Sequence, residues 1–380
     1  MMLGQNVKET SMHIRPAFVL MSLLCAFLCG CHSPVNVRPV TFVHPDEIIH
    51  NDTFIALADR RVFAVMAFIN ACGFDDEARG TTMHPVRLRV REAIQNKASE
   101  HADMFHKWKR YYRKRSFFPS YYYITYALSL SSDYPFRRIR PHSELGFWWP
   151  SLMLNSFPKI LNEFWETVGL EEIWIQVKLD YLTEIGHYDF DLMANQLAFV
   201  WEYLRLERKD HFTFVSVPNL LDSHYQAIGA HYENYYYMVE SPGACGNDFN
   251  IHEYLHSVIN ELIEKNYASH RKKLNAYFRA GKDMPFAQCY GQPQNYASEC
   301  LVRALDHRMR LLMEANPEFV KQRENTTKRI NRENTIKWIT DEGLLITEPF
   351  YRLLVTFEET DINFEEYLPE MLNLLPEYHD

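Results

Sequence analysis

Apolar positions recur with helical spacing along most of the chain. From Thr53 to Ala71 the rhythm Ile55, Ala58, Val62, Val65, Met66, Ile69 predicts a helix, and a second, longer helical pattern runs over 86–115. Phe157–Val168 and Phe190–Arg205 carry Leu, Trp and Phe at the same period, and Glu365–Leu375 reads as a terminal amphipathic helix interrupted at Pro369. Two stretches depart from this rhythm. Phe212–Val217 and Tyr235–Val239 are runs of aromatic and β-branched residues, closed by Pro218-Asn219 and by Ser241-Pro242-Gly243, as strands are. From about residue 250 the helical spacing resumes. The pattern predicts an α+β fold, predominantly helical with a small central sheet.

The N-terminus reads as an address. Ala17 to Leu28 is apolar apart from Ser22, with His13 and Arg15 before it. Such a run is too short to cross a hydrocarbon core of about 30 Å, but it has the length of a signal-peptide core. It ends in Leu28-Cys29-Gly30-Cys31, which resembles a bacterial lipobox, although Cys29 stands where Ala or Ser is usual. The resemblance implies cleavage before Cys31, lipidation of that residue, and anchoring to a bacterial membrane on its periplasmic or extracellular face. An ordinary cleaved signal and a buried helix are the alternatives. The expected organisation is a leader over 1–30, a tether over 31–47, a helical region of unassigned role over 48–205 and a second region over 206–380. Export leaves Cys72, Cys245, Cys289 and Cys300 in an oxidising compartment, where three disulfide connectivities are open. No CxxC spacing is present.

Composition narrows the function classes. With 380 residues, 47% hydrophobic and 14% aromatic, the chain can bury a sizeable core and is not a disordered polymer. Its 40 Lys+Arg against 49 Asp+Glu give a net charge of −9, which disfavours a nucleic-acid partner. Lys107 to Arg115 mixes basic and aromatic residues. It reads either as a patch for anionic lipid or nucleic acid, or as a helix end with a solvated cationic face; the acidic balance favours the second. Gly-rich phosphate loops are absent from the sequence.

The chemistry is concentrated in His252-Glu253-Tyr254-Leu255-His256. Asn247 or Asp248 can cap a helix here, and Leu255, Val258, Ile259, Leu262 and Ile263 continue its buried face. At i and i+4 the two imidazoles share a face and can converge on one tetrahedral ion. Glu253, one residue round, can reach a water without ligating the metal, as a general base requires. Ile259 and Leu262 occupy the positions at which a longer HExxHxxGxxH motif would need Gly and His, so the third ligand must come from elsewhere. Glu299 opens a second helical stretch, Asn295 to Arg308; Glu261, Glu264, His270 and His307 compete with it. The bland reading of Glu299 is a surface i,i+4 pair with Arg303.

At these residues the chain resembles the gluzincin type of zinc metallopeptidase, in which an HExxH helix supplies two His and a Glu on a following helix supplies the third ligand. Asn250 to Val258 together with Glu299 to Ala304 is also similar to an uncharacterised bacterial family of exported, zincin-like proteins. The resemblance implies a zincin-like catalytic core in 206–380, a Zn2+ cofactor on His252, His256 and Glu299, Glu253 as general base, and a peptide or protein substrate. Many gluzincins carry an Asp four residues after the ligand Glu; here that residue is Arg303, and Asp306 is the candidate for the outer-shell role. Tyr290, Tyr296, His307 and His231 are candidate donors to a developing oxyanion. The Tyr235–Val239 strand is a candidate for pairing with an extended peptide. A non-peptidase zinc amidohydrolase and a non-catalytic helical lipoprotein acting as a binding module are the rival functions.

Overall fold

The computed structural model describes residues 48–50, 54–74, 83–141, 148–207, 213–224, 226–232, 235–244, 251–288, 290–316, 319 and 333–378. The expected leader over 1–30, the lipidation candidate Cys31, the expected tether over 31–47, Cys245, Cys289 and the capping candidates Asn247 and Asp248 lie outside them. Helices dominate, around one five-stranded mixed sheet.

The strands are β1 (Ile48–His50), β2 (Phe54–Leu57), β3 (Thr213–Pro218), β4 (Ala227–Tyr232) and β5 (Tyr235–Glu240), in the order β1-β2-β3-β5-β4. β2, β3 and β5 run parallel, whereas β1 and β4 pair antiparallel with their neighbours. The sheet therefore draws on both regions of the sequence. β2 corrects the expected helix from Thr53: Phe54–Leu57 is a strand held between β1 and β3, and the helix starts only after Asp59. A short apolar run buried on both faces carries no period that separates the two states.

Among the described residues eight helices lie between β2 and β3: α1 (Arg60–Ala71), α2 (Pro85–Ala98), α3 (Ala102–Arg113), α4 (Ser120–Leu128), α5 (Trp148–Met153), α6 (Phe157–Val168), α7 (Leu170–Ile185) and α8 (Phe190–Leu204). Asp59 caps α1, accepting from the Arg61 and Val62 amides, and its carboxylate also holds the buried Arg61 guanidinium at 2.6 Å. Arg61 Nη1 donates in turn to the carbonyls of Leu128 and Leu130, tying the end of α4 to the start of α1. Val62 to Ile69 are buried, so α1 is the central rod of this layer. Aromatic rings surround it: Phe68 meets Phe157 and Phe164 edge-on, and Phe63 packs on Trp174. The expected single helix over 86–115 is two, α2 and α3, broken at Ser99–His101. Gly169, with φ of 62°, ends α6 and begins α7 without a linker.

After β5 come α9 (Ile251–Gly281), α10 (Pro293–Ala315), α11 (Glu333–Asp341), α12 (Thr347–Glu358) and α13 (Phe364–Leu374). Pro369 is accommodated inside α13 without ending it. α9 and α10 pack along each other, and Tyr296 of α10 locks their base: its hydroxyl donates to the Gly343 carbonyl at 2.9 Å and accepts from the Leu345 amide at 2.8 Å. Among the described residues no helix is long and apolar enough to cross a membrane.

Candidate metal centre

α9 turns Ile251, Tyr254, Leu255, Ile259, Leu262 and Ile263 into the core, which leaves His252, Glu253 and His256 half-buried on the opposite side of its first turns. α10 buries Tyr296, Ala297, Cys300 and Leu301 and, between them, Glu299, which is 4% exposed. The packing of the two helices sets Glu299 against both imidazoles.

The three side chains form a compact donor triangle. His252 Nε2 and His256 Nε2 are 3.3 Å apart, His256 Nε2 is 3.3 Å from Glu299 Oε2, and His252 Nε2 is 3.7 Å from Glu299 Oε1. A tetrahedral ion with ligand bonds of about 2.1 Å has donor–donor edges of roughly 3.4 Å, and these separations, one to each Glu299 oxygen, lie close to that length. Two imidazole nitrogens and one carboxylate oxygen are also the donor set of an open three-ligand site. His252, His256 and Glu299 can therefore hold a metal ion.

The surroundings set the charge of this triangle. Arg303 Nε donates to Glu299 Oε1 at 2.6 Å. Burial pushes the Glu299 carboxyl up, but Arg303, His252 and His256 together hold it well below the usual carboxylate range. Burial lowers His252, and the Glu299 charge only partly offsets it. At His256 burial acts the same way but is outweighed by the hydrogen bond and charge of Glu299, so its pKa lies above the ordinary imidazole value. His256 Nδ1 faces Asn260 Oδ1 at 3.3 Å; with its proton on Nδ1 the ring donates there and presents Nε2 to the site.

A second contact fixes the helix bearing Glu253. The Tyr236 hydroxyl of β5 donates to the Glu253 carbonyl at 2.5 Å, crossing Gly229 of β4. A Cβ at Gly229 would lie 2.1 Å from that hydroxyl, so the close approach of edge strand, tyrosine and helix requires glycine. The Tyr254 ring, on the buried side of α9, packs edge-on against Phe214 and Tyr236.

The other predicted residues fall elsewhere. Asp306 pairs with Arg310 at 2.7 Å, and the residue beside the His256 imidazole is Asn260. His307 meets the Tyr351 ring, His270 meets Asn373 and the Asn266 carbonyl, and Glu261 pairs with Lys265. Tyr296 is spent on the Gly343–Leu345 lock, while Tyr290 hydrogen-bonds Arg303 and so adjoins the site. His231 is exposed on β4. The expected peptide-pairing strand, Tyr235–Val239, is interior: β5 is paired on both sides, by β3 and β4, and cannot add a strand. The edge belongs to β4, which packs against α9. Asn260 and Gly229 were not marked by the sequence pattern, and Tyr236 was marked only as part of the Tyr235–Val239 strand; Asn260, at i+4 from His256, carried a positional signal.

Cys72 and Cys300 are free thiols. Burial pushes the Cys300 thiol, next to Glu299, up to about 12, which makes it a packing residue rather than a nucleophile. No protein-family profile, curated protein or solved structure matches the chain.

Proposed function

We propose that the protein is a zinc-dependent hydrolase, read most simply as a peptidase, anchored to a bacterial membrane through lipid on Cys31. The observation that carries the reading is the convergence of His252, His256 and Glu299, their donor atoms within 4.8 Å of one another, with Glu253 between the two histidines on α9. The donor set fits zinc, which when bound supplies Lewis acidity toward a carbonyl and its attacking water. Glu253 takes the proton of that water and delivers it to the leaving amine. Arg303 keeps Glu299 ionised, Asn260 orients the His256 ring, and Tyr236 holds the first turn of α9 in place. The side of β4 that no described strand pairs, on a strand antiparallel to its neighbour and packed on α9, supports an extended peptide as substrate over a small amide.

The experiment is elemental analysis joined to a peptide-mixture digest. The parent should hold about one zinc per chain and cleave peptides. Glu253→Gln should keep the metal and lose hydrolysis, and His252→Ala should lose both. Hydrolysis of small amides but not of peptides would favour the amidohydrolase. A parent that takes up no zinc on reconstitution overturns the reading and leaves a binding module.

A further inference from the structure

α3 turns Phe105 and Trp108 inward and His106, Lys109, Arg110, Arg113 and Lys114 outward, all five exposed. At about 100° per residue these positions share one face of the helix. The one acid of α3, Asp103, sits in its first turn, and Lys107 at the border of the face is paired with Glu163 at 2.6 Å. Among the described residues the side chains of Lys109, Arg110, Arg113 and Lys114 enter no hydrogen bond or ion pair.

Large apolar side chains flank the same end. Phe117, in the turn after α3, is 60% exposed. Arg115 donates to the Met153 carbonyl at 2.9 Å and lies over the Tyr111 ring, which brings the end of α5 alongside, with Leu152 47% exposed. Exposed cations bordered by protruding Phe and Leu suit the headgroup region of a bilayer, where the charge meets anionic lipid and the apolar tips reach the acyl boundary. The remainder of the chain opposes such a surface, since the net charge is −9. An anionic membrane therefore repels most of the protein and attracts this face, which fixes an orientation.

We propose that the C-terminal half of α3, with Phe117 and Leu152, docks onto the anionic lipid surface of a membrane. A lipid anchor on Cys31 would hold the protein at the membrane without orienting it, and a basic patch supplies a contact that does. A tether over 31–47 would reach up to about 55 Å when extended, so an anchor alone leaves the folded part free to face any direction. The inference is independent of the metal site.

The test uses the chain without residues 1–31, so that neither leader nor lipid contributes, sedimented with phosphatidylglycerol-rich vesicles at low salt. Each cation at the surface contributes about a fivefold factor in partitioning, so Arg110→Gln/Arg113→Gln should weaken binding roughly 25-fold. Lys109→Gln/Lys114→Gln should do the same and covers the case in which the first pair fails to fold. Phe117→Ser should lose about tenfold, most visibly at about 0.15 M salt, where the electrostatic part is screened. Arg271→Gln/Lys272→Gln, two exposed cations of α9, should change nothing, and phosphatidylcholine vesicles should not bind the parent. The proposal is overturned if the parent ignores phosphatidylglycerol, if the α9 pair weakens binding as much as the α3 pairs, or if a duplex oligonucleotide binds this face in preference to vesicles.

Discussion

Arg303 Nε stands 2.6 Å from Glu299 Oε1, while the other oxygen of that carboxylate, Oε2, lies 3.3 Å from His256 Nε2. One carboxylate thus serves a permanent cation on one side and the donor triangle on the other. The guanidinium compensates the buried charge when the site holds no ion, and it leaves Oε2 as the oxygen free to ligate. Arg303→Met removes the compensation. The metal-free variant should lose about 1–3 kcal/mol of stability, because a buried carboxylate is left without its cation and Arg303 itself is one-third exposed. Zinc should then stabilise the variant more than the parent, since the ion becomes the main partner of Glu299. Thermal unfolding with zinc and with chelator reads both effects; equal zinc-induced shifts in the two proteins would show that Arg303 and the metal do not share the carboxylate.

The contact between β4 and α9 makes a different prediction. Gly229→Ala places a methyl 2.1 Å from the Tyr236 hydroxyl, so it should cost about 1–3 kcal/mol through forced displacement. Tyr236→Phe deletes the hydrogen bond to the Glu253 carbonyl and should cost about 1 kcal/mol. The double variant should cost less than the sum by about 1 kcal/mol, because the deleted oxygen is the atom the methyl strikes. Additive urea midpoints would mean that β4 yields without involving Tyr236.

How much of this was legible in the sequence divides by range of interaction. His252, Glu253 and His256 are four residues apart or fewer, and helical geometry alone places them together. Glu299 was reachable because its residue type completes a donor set, although its distance from the histidines depends on how α9 and α10 pack. β4 was missed because Ala227-Ile228-Gly229-Ala230-His231-Tyr232 has no strict alternation, and its edge position follows from its pairing with β5. The same nonlocal pairing makes β5 an interior strand. Ser99–His101 separates α2 from α3 without Pro or Gly, so no local punctuation marked the break. Arg303 was visible as an i,i+4 partner of Glu299, but the sequence did not reveal that the pair is buried against two imidazoles.

Asn260 should tune the site without touching the ion. Its Oδ1 is the acceptor facing His256 Nδ1 at 3.3 Å, and outer partners of this kind typically contribute 10-fold or more, up to about 100-fold, to metal affinity. Asn260→Ala should weaken zinc binding by about tenfold in competition with a chromophoric chelator, and Asn260→Asp should retain it. Parent-like affinity in the alanine variant would assign the orientation of His256 to the packing of α9 alone.

Glu240 gives the fold a pH dependence that is separate from the site. The residue closes β5, is 1% exposed, and accepts a hydrogen bond from Ser216 Oγ at 2.7 Å. Burial pushes its carboxyl up to about 8; Ser216 and Tyr188 pull it partly back, and the Glu184 charge adds to the rise. In the unfolded chain the group titrates near its ordinary 4.5. Between those values the folded protein holds a proton that the unfolded chain has released, so stability falls as pH rises through this window and is level outside it. The slope from this group approaches about 1.4 kcal/mol per pH unit in mid-window. Glu240→Gln keeps a neutral side chain at every pH and should flatten the profile, making the variant more stable than the parent near pH 8 and close to it near pH 4.5. Urea midpoints across the window decide the matter: parallel profiles for parent and variant would mean that Glu240 is already ionised in the fold, with its charge compensated by groups other than Ser216 and Tyr188.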